Sequence, residues 1–304
     1  MRGLLTAVAM LLAAFTFGKS AAAWEDVVGM NRQIDQTNFI VAAGCSGTLI
    51  SVEYRLILTA HHCISNKIKR VTRNVVGDDG KIEKVTFEKR GRVTVRQSDY
   101  AQYEQVGSIS YQTVILDYNQ ARDLALLQLV GGNLRSTDAA PVLPDNLDIL
   151  RGEPITAVGN PMGLDATVTV GVVSSTNRTF EVPWALSERV PLIQLSANVN
   201  GGSSGGALYD SKGRQIGVII AGFRGTDLGF AVPIFELYPV LDRLCMSSIY
   251  DDAADDKACV AEKEAAEEGG DKTAAEPRAF GGMPFKCDAL GFDPIVGALT
   301  CEEI

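Results

Sequence analysis

Both histidines of this 304-residue chain, His61 and His62, lie side by side and are followed at once by Cys63. An imidazole exchanges protons near neutral pH more readily than other side chains, so this pair is a candidate general base. Adjacent residues of an extended segment point to opposite sides, so we expect only one of the two to face a given site. The pair therefore marks one place in the chain where acid–base catalysis could occur.

A serine stands among glycines much further along, in the stretch NVNGGSSGGALYD at 198–210. Glycines on both sides of Ser204 permit a tight turn that presents backbone N–H groups, which suits a nucleophile beside an oxyanion hole. The stretch also fits G-x-S-x-G, the nucleophile elbow of α/β-hydrolases, but there a histidine follows the serine and here none does. The base for Ser204 must then come from His61 or His62, which places histidine before serine in the chain.

The segments that must position these side chains have the pattern of β-strands. Between 36 and 130, and again between 146 and 235, short runs rich in Val, Ile, Leu and Thr are separated by turn sequences such as DSKGR at 210–214. Many short strands at even spacing predict closed or sandwiched antiparallel sheets. The stretch FELYPVLDRLC at 235–245 has helical spacing and predicts a short helix.

The string LTAHHC resembles the T-A-x-H-C signature of chymotrypsin-like serine proteases, whose general base directly precedes the cysteine. The resemblance implies that His62 is the base and that His61 fills the variable position. The string ARDLALLQL is similar to the family's D-[IL]-A-[VL]-L motif, which implies that Asp123 is the acid that orients the imidazole. Asp117 and Asp138 are nearby alternatives, but neither leads a strand-like run.

The second half resembles the HtrA-like branch of this family more than it resembles trypsin. Four stretches match that branch in order, namely AVGNPMGL at 157–164, TVGVVSS at 169–175, IQLSANVNGGSSGGALYD at 193–210 and GFAVPI at 229–234. The resemblance covers about 36–245 and implies an all-β fold of two antiparallel six-stranded β-barrels with a short C-terminal helix and an acidic tail. No PDZ domain is recognisable after residue 245.

Two positions depart from the family pattern. Ser203 stands where the HtrA-like branch usually has Asn and where trypsin has the Asp that pairs with a new N-terminus. We therefore expect no activation of the trypsin type. Ser196 stands where the branch often has Asp.

The resemblance also implies the other parts of an active site. The backbone N–H groups of Gly202 and Ser204 would form the oxyanion hole, and by position the primary substrate pocket would be lined by Ala197, Asn198, Ile220, Ala221 and Gly222. None of the pocket residues carries a charge, so we expect small or medium apolar substrate side chains there. The implied function is a serine endopeptidase that works through an acyl-enzyme. The alternative is a secreted, protease-like binding module without turnover.

The first 23 residues predict an export signal. Arg2 precedes an apolar run of 14 residues from Leu4 to Phe17, and Ala21–Ala23 offers a small-residue cleavage site. Because a membrane-spanning helix needs about 20 apolar residues, we expect no stable membrane anchor. We expect cleavage after Ala23 and a periplasmic or extracellular location. The net charge of −9 argues against a nucleic-acid partner, so the expected partners are protein or peptide substrates.

Six cysteines, an even number, predict disulfides in an exported chain, at positions 45, 63, 245, 259, 287 and 301. Six cysteines allow 15 pairings. The family resemblance pairs Cys45 with Cys63, and nearness in the chain suggests Cys245–Cys259 and Cys287–Cys301. No pair has the CxxC spacing of a zinc site, so we expect neither a metal nor another cofactor.

Composition divides the chain into five parts. They are a signal peptide at 1–23, an N-terminal barrel at 24–145, a C-terminal barrel and helix at 146–250, an acidic Ala-rich linker at 251–279 and a small Cys-containing tail at 280–304. Segment 251–276 carries ten Asp or Glu against three Lys, a net charge of −7. With so few large apolar residues, the acidic part predicts a solvated linker or a frayed helix.

Overall fold

The computed structural model describes residues 26–42, 44–76, 81–101, 104–179, 190–223, 225–269, 287–293 and 298–301. The predicted export signal at 1–23 lies outside these described residues. Within them, no helix combines the length and the apolar character that crossing a membrane requires.

Eight strands precede residue 131 in the described chain. They are β1 (Asn38–Val41), β2 (Cys45–Ser51), β3 (Leu56–Ala60), β4 (Ile68–Val76), β5 (Ile82–Arg90), β6 (Val93–Ala101), β7 (Glu104–Asn119) and β8 (Leu124–Val130). Six of them close an antiparallel barrel in the order β1-β2-β3-β8-β7-β6. The remaining two, β4 and β5, pair only with each other and form a hairpin outside the barrel.

Six further strands close a second antiparallel barrel in the described chain, in the order β10-β11-β14-β13-β12-β9. They are β9 (Pro154–Gly159), β10 (Thr167–Arg178), β11 (Leu192–Leu195), β12 (Ala207–Tyr209), β13 (Gln215–Gly222) and β14 (Gly229–Pro233). The two six-stranded barrels confirm the fold that the family resemblance implied.

The burial of side chains along the strands reflects which strand faces are covered. Along β6, Val93 and Val95 are buried while Thr94 and Arg96, which alternate with them, are exposed, because one face of the strand lines the first barrel. Strand β8 is buried on both faces. Its residues Leu124 and Leu126 join the apolar core that the second barrel dominates, whereas Leu127 and Leu129 belong to the core of the first. Strand β8 therefore lies at the seam between the barrels.

Three α-helices lie among the described residues. They are α1 (Val27–Thr37), α2 (Tyr238–Arg243) and α3 (Asp256–Gly269). The predicted C-terminal helix at 235–245 is present as a 3-10 turn, Ile234–Leu237, that continues into α2. Helix α1 packs Ile34 into a small apolar cluster with Tyr209 and Val158 of the second barrel.

Helix α3 occupies part of the acidic segment for which the sequence predicts a linker or frayed helix. Two contacts hold its N-terminal half. Cys259 is joined by a disulfide to Cys245, and the buried Asp256 carboxylate accepts a 2.8 Å hydrogen bond from the Tyr54 hydroxyl. The last described strands, β15 (Cys287–Asp293) and β16 (Ala298–Cys301), form a hairpin whose register sets Cys287 opposite Cys301. A bridge between these two cysteines stays a prediction.

Candidate active site

His62 and Asp123 are brought together by two neighbouring strands of the first barrel. His62 lies in a 3-10 turn, His61–Cys63, that directly follows β3, and Asp123 directly precedes β8. The strands pair so that Ala60, the last residue of β3, lies opposite Leu124, the first residue of β8. The register therefore sets the two residues beside each other although 61 positions separate them in the chain.

The Asp123 carboxylate contacts His62 through both of its oxygens. Oδ2 lies 2.6 Å from His62 Nδ1, and Oδ1 accepts a 2.8 Å hydrogen bond from the His62 backbone N–H. Because a carboxylate can only accept, Nδ1 carries the ring proton, which leaves Nε2 as the basic nitrogen. The Asp123 side chain is fully buried. Burial raises the pKa of its carboxyl, and the hydrogen bonds from His62 act against that rise.

Asp123 also has a backbone conformation that most residues avoid. Its φ is +53°, in the left-handed region, where Asp is tolerated better than most non-glycine residues. The His61 backbone N–H donates a 3.1 Å hydrogen bond to the Asp123 carbonyl, which holds the turn in place. The chain thus accepts local strain in order to aim this carboxylate at the imidazole.

Ser204 lies in the glycine-rich loop between β11 and β12, pressed against the first barrel. Its carbonyl accepts a 2.7 Å hydrogen bond from the Ser46 backbone N–H and lies 3.7 Å from Cys63 Sγ. The next residue, Gly205, has φ +83°, and a Cβ there would lie 2.2 Å from the Ser46 carbonyl oxygen. Only glycine fits at that position, so the predicted tight turn is required by close backbone approach.

The Ser204 hydroxyl points to the second barrel. Its Oγ donates a long, 3.5 Å hydrogen bond to the carbonyl of Ile220 on β13. Within the described residues no hydrogen bond joins Ser204 Oγ to His62. The Ser204 carbonyl nevertheless lies 3.7 Å from the sulfur of Cys63, the residue next to His62.

The backbone around Ser204 leaves two N–H groups open. The Gly201 carbonyl accepts a 2.8 Å hydrogen bond from the Met162 N–H, and the Ser203 carbonyl accepts one of 2.9 Å from the Gly206 N–H. In a trans peptide the N–H points opposite to the carbonyl, so these bonds orient the N–H groups of Gly202 and Ser204. Neither N–H donates to another residue of the described chain. An oxyanion hole needs two N–H donors that are free in this way.

Ser46 and Asn160 brace this loop from below. The Ser46 hydroxyl donates a 2.7 Å hydrogen bond to the Gly202 carbonyl and accepts one of 2.7 Å from the Asn160 N–H. The Asn160 side-chain amide donates to the Phe39 carbonyl at 2.9 Å. Residues of β1 and β2 in the first barrel therefore hold the turn of the second barrel that carries Gly202. Asn160 belongs to the family match at 157–164, and Ser46 directly follows Cys45. The sequence does not show that these two residues are in contact.

The residues predicted to line the primary pocket are only partly brought together. Gly222 is exposed at the end of β13, while Ile220 and Ala221 are buried before it. Ala197 is fully buried beneath Gly171, where a Cβ on the glycine would lie 2.4 Å from the Ala197 nitrogen. Asn198 is exposed and lines a cavity of about 270 Å³ with Met162, Val199 and Ser203.

Val199 is the pocket residue that sequence reasoning missed. A Cβ on Gly222 would lie 2.9 Å from Val199 Cγ2, and one on the facing Gly229 would lie 2.7 Å from the same atom. The Val199 side chain therefore fills the space between two glycines at the ends of β13 and β14. The signal that could have found it is the pair of glycines at the ends of β13 and β14.

Cys45 and Cys63 form a disulfide between β2 and the turn that carries His62. Ligand-type atoms of Cys45, Cys63 and His62 lie within 4.8 Å of one another. Because both sulfurs are used in the disulfide, neither cysteine offers the thiolate that a zinc site needs. The disulfide instead ties the turn that carries His62 to the strand that carries Ser46.

His61, the second histidine, packs away from the site. It is buried, and its ring stacks on Tyr118 with the ring centres 5.0 Å apart. Burial lowers the pKa of His61, the charge of His62 acts in the same direction, and the carboxylates of Asp123 and Glu88 oppose it. The two imidazoles therefore lie in different surroundings, although they belong to a 3-10 turn and not to the extended segment that the sequence analysis assumed.

The chain is similar in sequence to a known protein family and to individual members of known function. A family model described as a trypsin-like peptidase domain matches residues 45–218, more than half of the chain. The chain is 33% identical over 135 residues to the serine protease Do-like HtrB of Bacillus subtilis strain 168, which covers 42% of the chain and 29% of that protein. It is 30% identical over 139 residues to a serine protease HtrA-like of Staphylococcus aureus strain MRSA252, covering 43% of the chain and 18% of that protein.

Two solved structures can be compared in the same way. The Deg5 crystal structure is 27% identical with a TM-score of 0.49, covering 70% of this chain and 92% of that chain. The HtrA-type protease AlgW with decapeptide is 25% identical with a TM-score of 0.46, covering 68% of this chain and 51% of that chain. The present chain spans less than a third of the length of the curated relatives that it matches.

Proposed function

The chain belongs to the family of trypsin-like peptidase domains, and on that premise we propose that it is a serine endopeptidase with Ser204, His62 and Asp123 as its triad. The observation that carries the proposal is the pairing of His62 Nδ1 with the fully buried Asp123 at 2.6 Å. The buried carboxylate fixes the ring proton on Nδ1, so that Nε2 is available to accept a proton from a serine hydroxyl.

The proposed reaction passes through an acyl-enzyme. Ser204 Oγ turns from the Ile220 carbonyl and attacks the scissile carbonyl carbon, while His62 Nε2 takes the hydroxyl proton. The N–H groups of Gly202 and Ser204 stabilise the oxyanion, and His62 then gives its proton to the leaving amine as the C–N bond breaks. Water, deprotonated by His62, attacks the ester and releases the second product, which restores Ser204.

The proposed primary pocket accepts small or medium apolar side chains. Val199 occupies the space between Gly222 and Gly229, which reduces the room for a substrate side chain in the pocket proposed there. No charged side chain contributes to this pocket among the residues named, so a substrate Lys or Arg would lose its hydration without gaining a salt bridge. This argument supports a preference for residues such as Ala or Val and against basic residues.

Export of the chain is also part of the proposal. The N-terminal apolar run with its small-residue cleavage site supports it, and the Cys45–Cys63 and Cys245–Cys259 disulfides fit an oxidising compartment. The substrates would then be exported or extracellular proteins and peptides. Mass spectrometry of the secreted protein tests this, because cleavage after Ala23 gives a mature chain that begins at Trp24.

Labelling with a fluorophosphonate tests the catalytic proposal directly. This probe reacts with an activated serine, so we expect the wild type to gain one adduct on Ser204 and to cleave casein. The Ser204→Ala variant should lose both, whereas Ser203→Ala, which changes the neighbouring buried serine, should keep the adduct. A folded wild type that gains no adduct contradicts the proposal.

The second candidate function is a protease-like binding module without turnover. The observation that favours it is the Ser204 hydroxyl, which donates to the Ile220 carbonyl and not to His62 in the described chain. A module of this kind would bind peptides with equal affinity in the wild type and in Ser204→Ala. It would remain unlabelled by the fluorophosphonate, so the same experiment separates the two functions.

A further inference from the structure

The β4–β5 hairpin projects from the first barrel directly after the turn that carries His62. Strand β4 begins at Ile68, six residues after His62. The two strands pair without a break from Ile68–Arg90 at the root to Val76–Ile82 near the tip, and neither pairs with the barrel. The root of this arm therefore lies close in the chain to the proposed general base.

The root of the hairpin is fixed to the barrel by a compact polar cluster. The buried Glu88 carboxylate accepts hydrogen bonds from the Tyr118 hydroxyl and, at 2.7 Å, from Arg90 Nε. Arg90 Nη1 donates to the Leu116 carbonyl at 2.8 Å, and its guanidinium carbon lies 5.1 Å from the centre of the Tyr118 ring. Tyr118 in turn stacks on His61, the residue before His62. The arm is therefore anchored against the turn that carries the base.

Four exposed cations surround this root, and we call them the cationic root. They are Lys67, Lys69, Lys89 and Arg92. Lys69 and Lys89 lie directly opposite each other in the hairpin register. None of the four forms an ion pair with a residue of the described chain. Like charges on facing strand positions are destabilising, so the hairpin keeps an arrangement that costs stability in the free protein.

The positive charge of the cationic root contrasts with the rest of the molecule. Of the net charge of −9, residues 251–276 carry −7, so the rest of the chain is close to neutral and the four cations are a local concentration of positive charge. Val71 and Phe87 form the next cross-strand pair on the same face as Lys69 and Lys89, and both are half-buried. The face therefore offers cationic groups beside apolar surface, a combination that suits an extended peptide with carboxylate side chains.

We propose that the cationic root is a docking surface for an acidic segment of the protein substrate, next to the bond that Ser204 cleaves. The inference rests on the proposed peptidase function. Its basis is the position of the cationic root, which is anchored through Tyr118 to His61, the residue beside the general base. A cationic surface remote from the site would suit any acidic partner. Opposite charge attracts the substrate and raises its local concentration, which speeds association without changing the chemical step.

Charge-dependent docking has a defined kinetic signature. We expect an acidic extension to raise kcat/KM by about tenfold at low ionic strength through a lower KM, with kcat unchanged. Because the Debye length falls to about 10 Å at 0.1 M salt, the gain should shrink as salt is added. A preference that came from shape or from the primary pocket would not depend on salt in this way.

Matched peptides and matched variants test the proposal with the full chain. Each peptide has the same cleavage sequence and carries a short run of Glu or of Gln, on either its N-terminal or its C-terminal side. The test variant is Lys69→Glu with Lys89→Glu. The control variant is Arg151→Glu with Lys212→Glu, which changes the net charge equally at exposed positions outside the hairpin.

We expect the wild type and the control variant to prefer the Glu peptide on at least one side, and the test variant to lose or reverse that preference. Equal cleavage of the Glu and Gln peptides by the wild type on both sides overturns the proposal. A preference that the test and control variants share also overturns the proposal. This holds even where the test variant has lost binding to anionic lipid vesicles or has lost self-association. Failure of the wild type to cleave any of the peptides counts instead against the peptidase function.

Discussion

Ser46 and Gly202 belong to different barrels, yet the Ser46 hydroxyl donates a 2.7 Å hydrogen bond to the Gly202 carbonyl. The same residue donates its backbone N–H to the Ser204 carbonyl at 2.7 Å. One serine of β2 thus holds the carbonyls on either side of Ser203, and with them the orientation of the loop that carries the proposed nucleophile, Ser204.

Replacing Ser46 by Ala should impair catalysis more than substrate binding. The loop would lose a buried hydrogen bond, and a misplacement of about 1 Å at the oxyanion hole costs up to about 10²-fold in rate, so kcat should fall with little change in KM. Kinetics on a peptide substrate measure both values. Ser136→Ala is the control, because it removes a buried hydroxyl of the connector after β8 that donates to the Gln36 carbonyl. A similar loss of kcat in both variants would assign the effect to general destabilisation.

Gly202 and Gly201 should respond differently to the same substitution. Gly202 has φ +103°, and a Cβ there would lie 2.5 Å from the Asn160 carbonyl oxygen, whereas a Cβ on Gly201 meets no atom within 4 Å. We expect Gly202→Ala to lower kcat by about 10²–10³-fold through loss of one oxyanion donor, and Gly201→Ala to stay near wild type. Single-turnover acylation rates give the comparison. Equal losses in both variants would mean that Gly202 has no special role.

Asp123→Asn should fold and yet be nearly inactive. Asn tolerates the left-handed φ of +53° at this position, so the backbone need not change. The amide cannot hold His62 in the required tautomer, and we expect kcat/KM to fall by about 10⁴-fold. Thermal melting and peptide hydrolysis measure the two properties. Asp138→Asn, at an exposed alternative acid, should leave activity unchanged, and the reverse result would reassign the third member of the triad.

Trimming Val199 should widen the substrate preference. Val199→Ala opens the space between Gly222 and Gly229, so peptides with Leu or Phe before the scissile bond should gain about tenfold in kcat/KM relative to Ala. A peptide panel that varies only this substrate residue measures the change. Val170→Ala, which shortens an exposed valine of β10, serves as the control. An unaltered preference in Val199→Ala would place the primary pocket elsewhere.

His61 should make the fold sensitive to mild acid. Burial lowers the pKa of His61 below its ordinary value of about 6.5, so the unfolded chain binds the proton first as the pH falls. The free energy of unfolding should therefore decrease from about pH 7.5 to pH 5.5, and less so in His61→Phe, which keeps an aromatic ring against Tyr118. Urea unfolding at each pH gives the two curves. Parallel curves would show that His61 does not titrate differently on folding.

The sequence predicts those parts of the molecule that depend on short contiguous motifs. The alternating runs give the strands, and the two barrels follow from the family motifs. The strings around His62, Asp123 and Ser204 mark residues that the structure sets in neighbouring turns, with His62 directly paired to Asp123.

The parts that the sequence does not predict depend on contacts between distant residues. Ser46 and Asn160 are 114 positions apart, and the seat of Val199 between Gly222 and Gly229 requires strands β13 and β14 to be aligned first. The anchor between His61 and the β4–β5 hairpin joins residues of ordinary type through Tyr118. No local pattern records such contacts, because each half of the pair is compatible with many partners.

The seam along β8 has a practical consequence. Asp123 and His62 come from one barrel, whereas Ser204 comes from the other, and hydrogen bonds from β2 are what align them. Leu124 and Leu126 of the first barrel pack into the core of the second, yet a small slip along this seam would break the hydrogen bonds from β2 without unpairing any strand. Turnover in the proposed enzyme is therefore a reporter of barrel alignment, and it should vanish on gentle heating before circular dichroism registers any loss of strand content.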